Sequence, residues 1–304
     1  MPDQKRALLY GLATVLIWST MATAFKLTLR WLSPASLVLW ASVFSTISLG
    51  CLLAARGCLV SAVADLRRCW RIALLFELVN PVAYYLVLFK AYDLLPAQVV
   101  RPVNCTWAIT MALLAAVFLG HRLTRTDWIA TAIAYAGVVI ITQRGAGATG
   151  PAGDISIFGV ALALASTLLW AAYWIASTRD TREAVTGLFQ NFLVSLPVLA
   201  VVIWAIEGFR AFAPSGPALL GAAYIGSLEM GLTFALWLAA LKHATHAGSL
   251  STLIFLSQPI ALVFIHFILG EAIHPNTYWG FALILGGLGL QNWVRFRRPP
   301  PVEI

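Results

Sequence analysis

Long apolar stretches, separated by short polar segments, cover most of this chain. Each is close to the ~20 apolar residues that an α-helix needs to cross the hydrocarbon core of a bilayer. The pattern predicts ten transmembrane helices, near Ala7–Leu29, Ala35–Ala55, Trp70–Tyr92, Gln98–Gly120, Asp127–Gln143, Ile155–Ser177, Ala184–Ile206, Pro217–Leu241, Gly248–Gly270 and Asn276–Val294.

The composition supports an integral membrane protein. Of 304 residues, 61% are hydrophobic and 11% charged, whereas a soluble domain is about half apolar and about a quarter charged. So few polar side chains cannot cover the surface of a soluble globule. The formal charge is +8, but the basic residues form no stripe with interleaved aromatic residues, so we expect no nucleic-acid partner.

The basic residues also predict an orientation. Most lysines and arginines fall on one side of the bilayer if the N-terminus is cytoplasmic, as the positive-inside rule requires. We therefore expect both termini in the cytoplasm, which needs an even number of spans. The polar tail Met1–Arg6 precedes a first helix that lacks a clear cleavage site, so we expect this helix to be retained.

The second half of the chain repeats features of the first. An offset of 152 residues aligns Trp18 with Trp170, Glu77 with Glu229 and Lys90 with Lys242, and an offset of 150 then aligns Gly120 with Gly270 and Gly137 with Gly287. Five spans per half would insert the second half in the opposite orientation, a common plan among secondary transporters.

We accordingly predict an all-α integral membrane protein with ten transmembrane helices as two inverted five-helix repeats. The predicted repeats are residues 1–146 and 147–304, joined by the glycine-rich segment Arg144–Asp154, and the second repeat ends in a basic tail.

Several short motifs resemble the drug/metabolite transporter superfamily in its ten-helix form, with two EamA-type halves. They include Leu-Ile-Trp18-Ser, the segment Leu236–Ile273 with Ser-Gln-Pro259 and Gly270-Glu271, and Trp279-Gly280. His121 departs from the pattern, because the family often has glutamate directly after the glycine that corresponds to Gly120. The resemblance implies that the first, third and fourth helices and their repeat equivalents line the centre.

Within that superfamily the chain is most similar to bacterial aromatic amino acid exporters. The resemblance implies export of Phe, Tyr, Trp and related compounds across the inner membrane by alternating access. The alternative is an exporter of drugs, quaternary cations or other small metabolites on the same fold. As partners we expect a small-molecule substrate and the lipid bilayer. We expect the protein itself to be a monomer or weak homodimer.

We do not expect an enzyme, a metal or a cofactor. The sequence has no His-Glu-x-x-His, no Walker-type Gly-Lys-Ser/Thr and no exposed nucleophile motif. His243 and His246 lie close together, but no carboxylate accompanies them in a ligand pattern.

Two carboxylates, Glu77 and Glu229, lie inside apolar segments. Charged groups at this depth are costly and usually face the bundle interior or a wet cavity. Either glutamate could bind a substrate ammonium, Glu229 could carry a proton, and Glu77 could close a gate. The alternative for both is a hydrogen-bonded structural carboxylate.

Polar and aromatic residues at helical spacing complete the predicted substrate site. For each of these residues the alternative role is ordinary packing, which is the commoner role of aromatic residues at helical spacing. They are Asn80 and Tyr84 on the third helix, Asn104 and Trp107 on the fourth, Trp18 on the first, Trp170, Tyr173 and Trp174 on the sixth, and Gln258 on the ninth. Pro81 and Pro259 predict helix breaks that serve in gating.

Overall fold

The computed structural model describes residues 4–119, 123–143, 155–177, 179–243 and 247–296. Throughout these ranges the regular secondary structure is helical. The predicted linker, His121, His246 and the tail beyond Phe296 lie outside the described residues.

Besides a short 3₁₀ helix, Gly208–Phe212, the described ranges contain ten helical segments, counted through their kinks. They are α1 (Gln4–Thr28), α2 (Pro34–Ala55), α3 (Leu59–Leu94), α4 (residues 97–119, in the parts Ala97–Cys105 and Trp107–Leu119), α5 (Arg125–Thr142), α6 (Ile157–Ser177), α7 (Ala184–Glu207), α8 (residues 216–243), α9 (Ala247–Leu269) and α10 (Pro275–Phe296).

Seven of these segments, α1 to α4 and α6 to α8, contain a stretch long and apolar enough to cross a membrane. The protein is therefore an all-helical membrane protein, while membrane crossing by α5, α9 and α10 remains a prediction. The third helix begins at Leu59 rather than near Trp70, because the polar stretch before Trp70 continues the helix instead of forming a loop.

Irregular turns interrupt the third helices of the two halves: a backbone kink in α3 and a wide, π-helical turn in α8. In α3 the turn spans Leu78–Ala83, where Asn80 has φ −142° and ψ 114° and Pro81 offers no backbone donor. In α8 it spans Ile225–Leu232 and contains Glu229 but no proline. Such turns redirect the side chains that follow and are frequent at functional sites.

Only one of the two predicted proline breaks coincides with such a turn. Pro81 is buried inside the distorted part of α3, whereas α9 remains an α-helix through Pro259, whose side chain is exposed. The break in the second half is in α8, where the sequence gives no proline signal.

The helix packing relates the two halves. Helix α1 packs against α8 and α9, and α6 packs against α3 and α4; α2 packs against α7, and α5 against α10. Each pairing is preserved when every helix is replaced by the one five places away. The helix pairings of the two halves therefore correspond, and each half packs its first helix against the third and fourth helices of the other.

Candidate functional site

A central cavity of about 250 Å³ lies between helices of both halves. Ligand pockets commonly occupy ~300–1,000 Å³, so this one suits a compact small molecule. Eight of the predicted substrate-binding residues line it together: Trp18, Tyr84, Asn104, Trp107, Trp170, Trp174, Glu229 and Gln258.

The cavity also contains residues that the sequence reasoning did not select: Arg101, Cys105, Met111, Phe234, Trp237 and Ser257. Arg101 belongs to none of the predicted site motifs, although it lies one helical turn before Asn104. Trp237 lies two turns after Glu229. Helical spacing from the predicted polar residues could have found both.

Aromatic rings from both halves form the walls of the cavity. The Trp170 ring stacks on Tyr84, with centroids 4.6 Å apart, and Trp174 stacks on Phe234 at 6.3 Å. Trp18, the repeat equivalent of Trp170, lies 6.0 Å from Trp237. Rings in such offset and tilted arrangements present both faces and edges to a ligand, which favours an aromatic or apolar group.

Four buried polar atoms on cavity-lining residues have no hydrogen-bond partner within the described structure. They are the donors Arg101 Nε and Trp174 Nε1 and the acceptors Glu229 Oε2 and Gln258 Oε1. Leaving a buried polar atom unsatisfied costs ~1–3 kcal/mol. Two donors and two acceptors at one cavity suit a ligand that supplies the missing partners.

Asn104 is held in place from behind the cavity. Its Nδ2 donates to Ser166 Oγ at 3.0 Å, so the amide joins α4 to α6. Thr110, further along α4, lies 3.1 Å from the Thr167 hydroxyl. These contacts fix the part of α4 that carries Arg101 and Asn104.

The other three predicted substrate-binding residues lie elsewhere. Tyr173 lines a neighbouring cavity of about 130 Å³, which shares Trp174 with the central one. Glu77 and Asn80 are buried, and neither belongs to the central cavity or to this neighbour. Both carboxylate oxygens of Glu77 lack a hydrogen-bond partner within the described ranges.

A set of polar contacts around Arg182 borders the neighbouring cavity after the end of α6. Arg182 donates to Asp180 at 2.7 Å, to Gln190 at 3.1 Å and to Asn191 at 3.0 Å, and lies over the Phe76 ring. Burial alone would raise the pKa of Asp180, but the hydrogen bonds from Arg182 outweigh it and hold that pKa below its usual range. The ion pair therefore stays charged at neutral pH.

A different polar contact joins the two halves near the other end of α6. Glu271 accepts hydrogen bonds from the backbone N–H groups of Ala97 and Gln98, at 2.9 and 3.1 Å. A carboxylate is favourable at a helix N-terminus because the unpaired N–H groups there carry partial positive charge. It joins the start of α4 to the segment between α9 and α10.

No cluster of three or more His, Cys, Asp or Glu side chains in the described ranges is arranged to hold a metal ion. The central cavity has aromatic walls, two charged residues, Arg101 and Glu229, and the amide groups of Asn104 and Gln258.

Comparisons with known proteins agree with this geometry. The chain is 23% identical over 229 residues to an uncharacterized transporter, YvbV, of Bacillus subtilis, a match that covers 75% of this chain and 73% of the relative. It is 30% identical over 187 residues to a probable terminal-alkyne amino-acid exporter of Streptantibioticus cattleyicolor, covering 59% of each protein.

One solved crystal structure of a protein superposes with a TM-score of 0.64 at 22% identity, over 97% of this chain and 100% of that one, which supports the fold alone. The profile of the EamA-like transporter family matches residues 5–143 and again 157–293. The two matches cover both halves, and the chain therefore belongs to the EamA-like transporter family, with two EamA repeats.

Proposed function

We propose that this protein is a secondary transporter that exports aromatic amino acids (Phe, Tyr and Trp) and related compounds. The observation that carries the proposal is the central cavity, whose aromatic walls surround unsatisfied donors and acceptors. An aromatic side chain fits the walls by stacking and edge contacts. The polar groups then orient the amino-acid end, as the few polar groups of a small-molecule site generally do.

The charges favour an amino acid over an organic cation, which is the alternative substrate class. Arg101 and Glu229 both line the cavity, so a ligand with only a positive charge would meet a like charge at Arg101. The relative from Streptantibioticus cattleyicolor is described as a probable exporter of amino acids. The preference for aromatic side chains rests on the walls of this cavity.

Alternating access follows from the arrangement of the halves. We infer that residues 1–146 and 147–304 form oppositely inserted repeats that rock around the central cavity, since each half packs its first helix on the other half. Opening one end requires the Arg182 guanidinium to separate from the Phe76 ring of the other half, and opening the other requires release of Glu271 from the start of α4. The irregular turns in α3 and α8 are the places where these helices bend.

The proposal also includes the membrane in which the protein works, its orientation and its oligomeric state. We infer that the protein works in the bacterial inner membrane with both termini in the cytoplasm, as a monomer or weak homodimer, and that it moves its substrate without chemical change. Labelling of single cysteines placed at each terminus would test the orientation, and labelling from opposite sides would contradict it.

Transport by purified protein in liposomes tests the function. We expect loaded vesicles to exchange labelled Phe or Trp, with competition by unlabelled Phe, Tyr and Trp. Trp170→Ala should weaken this competition about tenfold through loss of a large stacking surface. Trp204→Ala is the matched control, because Trp204 on α7 is 52% exposed at the outer surface. Transport of quaternary cations alone would contradict the proposal.

A further inference from the structure

We propose that the central cavity recognises its ligand as a zwitterion, with Arg101 binding the carboxylate and Glu229 the ammonium group. The substrate class is then the free α-amino acid, and amines or acids that carry only one of the two charges are rejected. The inference rests on the proposed function and makes it narrower, because an aromatic ring alone would not qualify a compound for transport.

Arg101 has the hydrogen-bonding capacity for a carboxylate. Its guanidinium has five N–H donors in a planar fork that matches carboxylate geometry. In the structure one nitrogen, Nη2, donates to the Trp18 carbonyl oxygen at a long 3.3 Å, while Nε is buried without a partner. Among the described side chains no carboxylate forms an ion pair with Arg101, so its charge is available to a ligand in the cavity.

Glu229 is the complementary group. It lies in the wide turn of α8, lines the same cavity as Arg101, and keeps Oε2 buried without a partner. The two side chains do not form a direct salt bridge within the described ranges, although they face one cavity. Opposite charges that share a cavity without contact leave space for a ligand that carries both complementary charges.

Two uncharged groups could contribute further hydrogen bonds to the two ends of the ligand. Gln258 Oε1 is a second unsatisfied acceptor, and Trp174 Nε1 is a second unsatisfied donor. An ammonium group has three N–H donors and a carboxylate accepts several hydrogen bonds. The cavity therefore offers acceptors and donors in the combination that an amino acid requires.

The charge pair also explains rejection of simpler molecules. An aromatic amine would leave Arg101 unpaired and repelled, and an aromatic acid would do the same to Glu229. A buried hydrogen bond to a charged group contributes enough that its loss lowers affinity about ten- to a hundredfold. Specificity of this kind comes from the group that a wrong ligand leaves unpaired.

Competition against labelled tryptophan in liposomes tests the inference on the unaltered protein. The competitors are tryptophan, tryptamine, which lacks the carboxylate, and indole-3-propionate, which lacks the ammonium group. We expect each single-charge analogue to compete at least about tenfold more weakly than tryptophan. If either analogue competes as well as tryptophan, the assignment of that charge is overturned.

Charge-removing variants then assign each end of the ligand to its residue. Arg101→Gln should reduce the preference for tryptophan over tryptamine by about tenfold or more, and Glu229→Gln should do the same for tryptophan over indole-3-propionate. Arg101→Lys keeps the charge and should restore part of the preference. Arg125→Gln, at the exposed start of α5, is the matched control and should leave both ratios unchanged.

The outcomes separate this inference from the proposed function. Wild-type protein that carries no amino acid would refute the proposed function and the inference with it. Wild-type protein that carries tryptophan, with variants that fold and bind but keep both preference ratios, would refute the inference alone. Binding of labelled tryptophan to each purified variant, and its displacement by the unlabelled analogues, identifies variants that fold and still bind them.

Discussion

Glu77 and Glu229 are repeat equivalents, yet the structure gives them different surroundings. Glu77 directly precedes the irregular turn of α3, and Glu229 lies inside that of α8. Glu229 lines the aromatic cavity opposite Arg101, whereas Glu77 is fully buried away from it and has no partner for either carboxylate oxygen in the described ranges. Duplication has therefore preserved a carboxylate at related positions but not its environment.

The neighbouring backbone differs as well. On α8, Gly226 lies so close to α2 that an added Cβ would be 2.1 Å from the Ala41 carbonyl oxygen. The equivalent position on α3, 152 residues earlier, is Leu74. Glycine permits this close approach of α8 to α2, and the leucine side chain at the corresponding position of α3 does not permit the same approach. Equivalent helices in the two halves thus play unequal parts in the site.

The largest expected effect comes from removing the charge of Glu229 and, separately, that of Glu77, because only Glu229 lines the cavity. We expect Glu229→Gln to lower the transport rate at subsaturating tryptophan by about ten- to a hundredfold, because a charged hydrogen bond to the ligand is lost. Glu77→Gln should change it by less than about threefold. Initial rates in liposomes, normalised to reconstituted protein, measure both. Equal losses in the two variants would show that the halves share the site evenly.

The backbone difference predicts a loss of stability that is specific to α8. Gly226→Ala should destabilise the folded protein by about 1–3 kcal/mol, since the new methyl group must push α8 from α2. Gly216→Ala, at the start of the same segment, has open space around its Cα and is the control. Thermal unfolding of both variants in detergent gives the comparison. Identical midpoints would mean that α8 moves away from α2 without cost.

The smallest expected effect concerns the carboxylate that lies outside the cavity. Glu77→Leu replaces a buried carboxylate that has no partner in the described structure with an apolar group of similar size. It should therefore raise stability by about 1 kcal/mol or more. The midpoint of thermal unfolding should increase. A decrease would indicate that Glu77 has a hydrogen-bonding role in a second conformation of the transporter.

Much of the fold was predictable because it depends on patterns along the chain. Apolar stretches of membrane-spanning length predicted the helices, and the matches between Trp18 and Trp170 revealed two related halves. The site was predictable in part. Trp18, Tyr84, Asn104, Trp107, Trp170, Trp174, Glu229 and Gln258 share one cavity, because intramembrane polar groups and aromatic residues at helical spacing point inward more often than toward lipid.

Other features of the candidate site had a weak signal in the sequence or none. Helical spacing from Asn104 points to Arg101, but only the tertiary structure brings Arg101 and Glu229 to one cavity, and the break in α8 has no proline to mark it. Conversely, Pro259 suggests a break but α9 continues through it, because a helix in a packed bundle can lose one backbone hydrogen bond without bending sharply.

By itself, the sequence determined that the chain is an all-helical membrane protein with two related halves, since hydropathy and internal similarity are properties of the linear chain. Only the tertiary structure decided which equivalent residues face the cavity. The face that a helix presents depends on its turns and on the side chains packed around it. These differ between α3 and α8, although the helix pairings of the two halves correspond.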